Sequence, residues 1–175
     1  MATFLLYWNP YFSSYKLERF LEEFNFPEGK DVLTMFDEWD RSPNNFDWSI
    51  VEHEKAHKGD RFIFVRVGYS KPTGIIGVGH FTTEPFEGED WSGQGRKTWY
   101  MGMEWETVIN PTSDSILKTN VLIDAIPEVY WTKGKAGVEV APDIAAKIES
   151  LWHDHLLRLL GQVAEPFFNL PSTDK

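Results

Sequence analysis

The sequence predicts an α+β fold, a small mixed β-barrel with flanking helices, on three observations. Apolar residues recur at helical spacing near each end, they alternate or run continuously through the middle, and no repeat, low-complexity tract or linker divides the chain, so 1–175 is read as one domain. Leu5–Trp8 is the first strand, stopped by Asn9 and Pro10. Ser13 or Ser14 caps a helix whose Leu17, Phe20, Leu21 and Phe24 share one face, leaving Glu18, Glu22 and Glu23 in water. Asp31–Asp47 mixes Phe36, Trp39 and Phe46 with acids and the turn cluster Ser42-Pro43-Asn44-Asn45, and reads as a long irregular loop. A short helical piece over Ile50–His57 leads through Lys58-Gly59-Asp60 into a buried strand, Arg61–Val67. Thr73–Thr82 is another strand. In Thr98–Glu106, Trp99, Met101, Met103 and Trp105 alternate with Tyr100, Gly102, Glu104 and Glu106, as a half-buried strand requires. Asn120–Ile123 reads as one more. Pro142 suits a first helical turn, after which Ile144, Ile148, Leu151, His155 and Leu159 form a stripe that packs on the sheet.

With 42% hydrophobic and 25% charged residues the composition is globular. The absence of cysteine excludes disulfides, a thiol nucleophile and Cys-based metal centres. Met1–Pro10 lacks a basic n-region and no stretch approaches a membrane span, so the chain reads as soluble and unprocessed, with the cytoplasm as the simplest compartment. Seventeen Lys and Arg against 27 Asp and Glu give a net charge of −10, which opposes the field that a general nucleic-acid coating protein uses. The middle third is the least repulsive, with 7 basic and 7 acidic groups in residues 51–100.

Two motifs point to enzymes and neither has the context its chemistry needs. His53-Glu54-Lys55-Ala56-His57 satisfies H-E-x-x-H, but Lys58-Gly59 ends the helix and no third ligand follows at a suitable distance. Gly88-x4-Gly93 lacks a Lys directly after the second glycine and leads into a strand, unlike a P-loop. His155, on the apolar stripe, reads as a satisfied core histidine. Eight tryptophans are more than a small barrel needs for its core, and Trp39, Trp48, Trp91 and Trp131 fall outside the predicted strands, where indoles can line a groove. Gly77 and Gly79 leave one sheet face bare, so either the barrel bends there or a ligand approaches the backbone.

The order of these pieces resembles the EVE-like domains of the PUA-like superfamily, relatives of the YTH and ASCH domains. The carrying residues are Leu6-Tyr7-Trp8-Asn9-Pro10, Trp48-Ser49, Lys58–Phe64, Gly74–Gly79, Pro85-Phe86 before Trp91, and Trp131 ahead of Gly137-Val138 and the helix ending in Leu151-Trp152. The resemblance spans nearly the whole chain. It implies a PUA-like barrel that reads, without catalysis and without a cofactor, a flipped and modified nucleobase of DNA or RNA. Carried over by position, Asn9 offers an amide to the base edge, Trp48 forms a wall, Ser49 supplies a polar contact and Trp131 closes the cage. Lys58, Arg96, Lys97, Lys133 and Lys135 are candidates for phosphate contacts. Two alternatives stand beside this reading. One is a module for a nucleotide-like small molecule or for a protein partner held through Phe167 and Phe168, and the other is a metal-dependent enzyme using His53, Glu54 and His57.

Overall fold

A computed structural model describes residues 1–36, 46–90, 92–134 and 137–169, with the backbone alone for 162–169. Trp39, Trp91 and Lys135, and the side chains of Phe167 and Phe168, therefore lie outside the described residues. The fold is mixed α+β, with three helices and a large mixed sheet. In chain order come β1 (Thr3–Trp8), α1 (Leu17–Phe24), β2 (Leu33–Met35), β3 (Asp47–Ser49), a 3-10 turn (His53–Lys55), β4 (Arg61–Arg66), β5 (Gly74–Phe81) and β6 (Phe86–Glu89). They are followed by β7 (Lys97–Ile109), β8 (Leu117–Lys118), α2 (Thr119–Ala125), β9 (Val138–Val140) and α3 (Pro142–Asn169).

The main sheet runs β2-β7-β5-β4-β1-β9, while β3 and β6 pair with the first half of β7 and β8 pairs with β5. Among the described strands only β1 and β4 pair in parallel, in the register Thr3↔Arg61 to Trp8↔Arg66. Both are buried along almost their whole length, which is why their sequences are continuous apolar runs with no alternation. β7 does alternate, and its Met101, Met103 and Trp105 are buried as expected.

The expected closed barrel is not formed, because the ladders stop at β2 and β9. Among the described residues one backbone bond joins the segment after β3 to the residue before β9, Glu52 N–H to Gly137 O (3.3 Å). The reason is local. β3 and β9 have three residues each, too few for a full ladder, and the outward Glu139 N–H of β9 donates to Glu52 Oε1 at 2.7 Å, so a carboxylate stands where a strand would pair.

Packing follows from the aromatic content. Trp8 is 1% exposed, stacks on Phe20 of α1 (5.0 Å, 22°) and donates its Nε1–H to Tyr15 O at 2.8 Å. Phe20 and Phe24 place α1 over the inner face of the sheet, both edge-on to Trp105. Bare backbone at Gly77 and Gly79 is filled by protein: a Cβ would lie 2.7 Å from the Trp105 ring at the first and 2.6 Å from the Phe62 ring at the second. The β5–β7 register shifts between Val78 and Gly79, so of the two sequence readings the bend is the one realised. α3 buries Ile148 and Trp152 in the same core and packs Ile144, Leu151, Leu156 and Leu159 against it. Outside that contact, Arg61 holds Glu149 of α3 in a fork (2.6 and 3.2 Å) and Glu106 of β7 at 2.5 Å.

Several local expectations are corrected. Asn120–Ile123 is helical, within α2, because β8 completes the pairing with β5 just before it and only Leu122 of the apolar run turns inward. The piece over Ile50–His57 is a single 3-10 turn. Neither Ser13 nor Ser14 caps α1, since the Ser13 hydroxyl accepts the Tyr15 N–H at 3.1 Å and the helix begins two residues later. Asp31–Asp47 is not all loop, because it holds β2.

Candidate functional site

The alternation of β3 decides the fate of the predicted pocket residues. Trp48 and Ile50 turn inward, and Asp47 and Ser49 turn outward. Trp48, expected outside the strands, is 4% exposed, edge-on to Phe64 (4.9 Å, 75°) and Tyr15 (5.7 Å, 86°) and parallel to Phe46 (6.3 Å, 10°). It is a core residue in this structure. Ser49 faces the other way and pairs with Tyr100 of β7, whose hydroxyl donates to Glu89 O at 2.7 Å. Burial pushes both the Asp47 carboxyl and the Tyr100 hydroxyl up.

Asn9 ends β1 in an Asx turn, its Oδ1 accepting the Tyr11 N–H at 3.0 Å, with its carboxamide against Gly68. Trp131 is 2% exposed and donates Nε1–H to Ile126 O at 2.9 Å, pinning the turn that follows α2. Among the described residues, Trp48 and Trp131 make no ring contact with each other. The candidate phosphate contacts are scattered. Lys58 lies in the turn before β4, at the opposite end of the sheet from Asn9. Arg96 and Lys97 belong to the β6–β7 hairpin, beside the acidic Glu87, Glu89 and Asp90.

Lys133 does belong to a concave site. A cleft of about 350 Å³ opens between β1, β9, the segment 128–134 and the start of α3. Its floor is aliphatic: Leu5, Val138, Val140 and Ile144. Tyr7 forms one wall, and its hydroxyl donates to Tyr130 O at 2.8 Å, tying the segment down across 123 residues of sequence. Gly134 lies flat on the Tyr7 ring, where a Cβ would approach to 2.5 Å, so only glycine fits. Tyr130 stands 66% exposed at the rim with Lys133 Nζ 6.0 Å from its ring centroid. Glu128 and Glu139 add carboxylates, the former already paired with Lys147 at 2.9 Å. Burial drives the Tyr7 hydroxyl up to about 12, so it acts at neutral pH as a hydrogen-bonding group and not as a base.

Such a cleft can hold a flat ring by stacking, with polar edges for its exocyclic groups. Sequence reasoning found Lys133 and missed Tyr7 and Tyr130. Their signal was available in the carrying tracts, since each directly precedes a tryptophan that turns the opposite way. A second cavity, about 440 Å³, lies between α3 and β2, but its walls are mainly aliphatic (Val32, Leu33, Ile109, Leu159, Leu160) and its Asp31 is held low in pKa by Ser113 and Ser115.

The H-E-x-x-H residues do not share a helical face. His53 stacks on Trp99 (4.3 Å, 9°), while His57 Nδ1 lies 3.2 Å from Glu84 Oε1. Among the described residues no group of three or more His, Asp or Glu side chains is placed to share a metal, and no helix is long and apolar enough to cross a membrane. The chain matches no protein-family model and no curated protein sequence.

Proposed function

We propose that the protein is a non-enzymatic reader that seats one modified nucleobase of DNA or RNA, turned out of its stack, in the cleft beside β1. The observation that carries this is the pairing of two tyrosines around a space of ligand size, with Gly134 packed on one face of the Tyr7 ring and Tyr130 exposed at the rim. The order of tracts that resembles an EVE-like domain supports it, and the strands that almost meet across β3 and β9 fit a PUA-like barrel left ajar. In this reading the base stacks on Tyr130 under the Lys133 ammonium, while the Tyr7 hydroxyl oxygen and the Glu139 carboxylate accept hydrogen bonds from amino groups. Trp48 and Trp131 shape the walls from behind.

A second reading is favoured by the local charge. Lys133 is the cleft's one cation not engaged by a carboxylate among the described residues, against Glu128 and Glu139, which suits a free nucleoside better than a phosphate-rich ligand. Calorimetry with a panel of modified nucleosides and matched oligonucleotides separates the two. Tyr130→Ala should weaken binding by roughly 5- to 150-fold, the equivalent of one stacking contact of about 1–3 kcal/mol. Binding of the nucleoside with no gain from the strand would select the small-molecule reading. No binding by any member of the panel, or equal binding by Tyr130→Ala, would remove both.

A further inference from the structure

Residues 1–17 and 61–83 contain no Asp or Glu, although the chain has 27. β1 and β4 run parallel, so the acid-free turns that follow them lie at the same end of the sheet. There the turn Asn9–Phe12, closed by Phe12 N–H to Asn9 O, meets the turn after β4, where Gly68 packs on the Asn9 carboxamide. The two turns expose three aromatic side chains: Tyr11 at 67%, Phe12 at 82% and Tyr69 at 97%. None stacks on another aromatic ring among the described residues.

The charge at this end is positive. Lys16 Nζ binds Tyr11 O at 2.9 Å, and Lys71 follows Tyr69 by two residues. Arg66 is 2% exposed and is held only by Pro111 O and Ser70 Oγ (both 2.8 Å), with its Nε lacking a partner and no carboxylate paired to it among the described residues. Asp114, which lines a hollow with Lys71, pairs with Lys118 at 3.5 Å, and Glu23 pairs with Arg19 and the Tyr15 hydroxyl.

Exposed rings on short turns, beside cations and away from carboxylates, suit a partner that is flat, apolar on its faces and anionic along its spine. We propose that the turns 9–12 and 68–71 form a stacking surface for two or three unpaired bases of a single-stranded nucleic acid. This extends the reading of the cleft as a base site but uses other residues. A peptide would gain as much from the rings but nothing from the missing acids.

The test is fluorescence anisotropy with unmodified twelve-nucleotide oligothymidylate and oligouridylate. Single Tyr11→Ala, Phe12→Ala and Tyr69→Ala variants should each lose roughly 5- to 150-fold in affinity. Their denaturation midpoints should not move, because the rings are exposed. If Lys16 and Lys71 meet two phosphates, the slope of log K against log salt should be about −1.4, and Lys71→Ala should flatten it. Tyr130→Ala should leave this affinity unchanged while weakening that for a modified nucleoside by roughly 5- to 150-fold. Failure of the wild-type protein to bind any modified nucleoside, with oligonucleotide binding intact, would overturn the cleft alone. Absence of oligonucleotide binding, or affinity indifferent to all three ring variants, would overturn this surface, as would capture of phosphatidylserine vesicles that depends on the same rings without any binding of oligonucleotide.

Discussion

Trp48 and Ser49 are adjacent in sequence and face opposite sides of β3, so a pocket that used both side chains from one direction is not available here. With its ring 4% exposed among Phe46, Phe64 and Tyr15, Trp48→Ala should cost about 3–5 kcal/mol of stability, the range for a large aromatic removed from a core. Ser49→Ala should change it by no more than about 0.5 kcal/mol. Urea denaturation of the two variants checks this, and equal midpoints would contradict the packing. The sequence could not assign Trp48, because a three-residue strand is too short to display a period. His155 was legible: it lies on the inner stripe of α3, with Nε2 2.6 Å from Ser115 O, and burial holds its pKa down. A histidine kept neutral by folding stabilises above its unfolded pKa near 6.5 and loses that contribution as pH falls.

Among the elements, those with long apolar patterns could be read directly, and those decided by neighbours could not. β7 announced itself through four alternating residues, and α3 through its stripe from Ile144 to Leu159. α2 did not, because its run Val121-Leu122-Ile123 has the composition of a strand and yet exposes its first and third members at 40% and 44%. The docking of α3 by Arg61 was also invisible, since it joins residues 88 apart in sequence. Burial opposes ionisation of Glu106, but the Arg61 guanidinium and the His80 ring outweigh it and hold the carboxyl below its usual range. A carboxyl depressed by folding contributes stability above its unfolded pKa, near 4.3, and that contribution fades as pH falls through the folded value. Stability measured from about pH 6 down to pH 3 should therefore decline less steeply in Glu106→Gln than in the wild type. An unchanged slope would show that Arg61 gains nothing from Glu106 in solution.

At the scale of the molecule, a net charge of −10 hides an uneven distribution. The acid-free stretches 1–17 and 61–83 were in plain view, but what joins them is the parallel pairing of β1 with β4, which no local pattern encodes. The sheet was half legible for a similar reason: the long β1, β4, β5 and β7 could be read, whereas the short β2, β3, β6, β8 and β9 and the Glu52 carboxylate at the edge of β9 could not be foreseen. The proposed base site is the cleft of Tyr7, Tyr130 and Gly134, and NMR titration with a single modified nucleoside tests that location most directly. A stacked base should shift the ring protons of Tyr7 and Tyr130 and the amide of Gly134 upfield in one saturating step, with Tyr11, Phe12 and Tyr69 unmoved. Saturable shifts confined to any other part of the molecule, or none with any nucleoside of the panel, would contradict it.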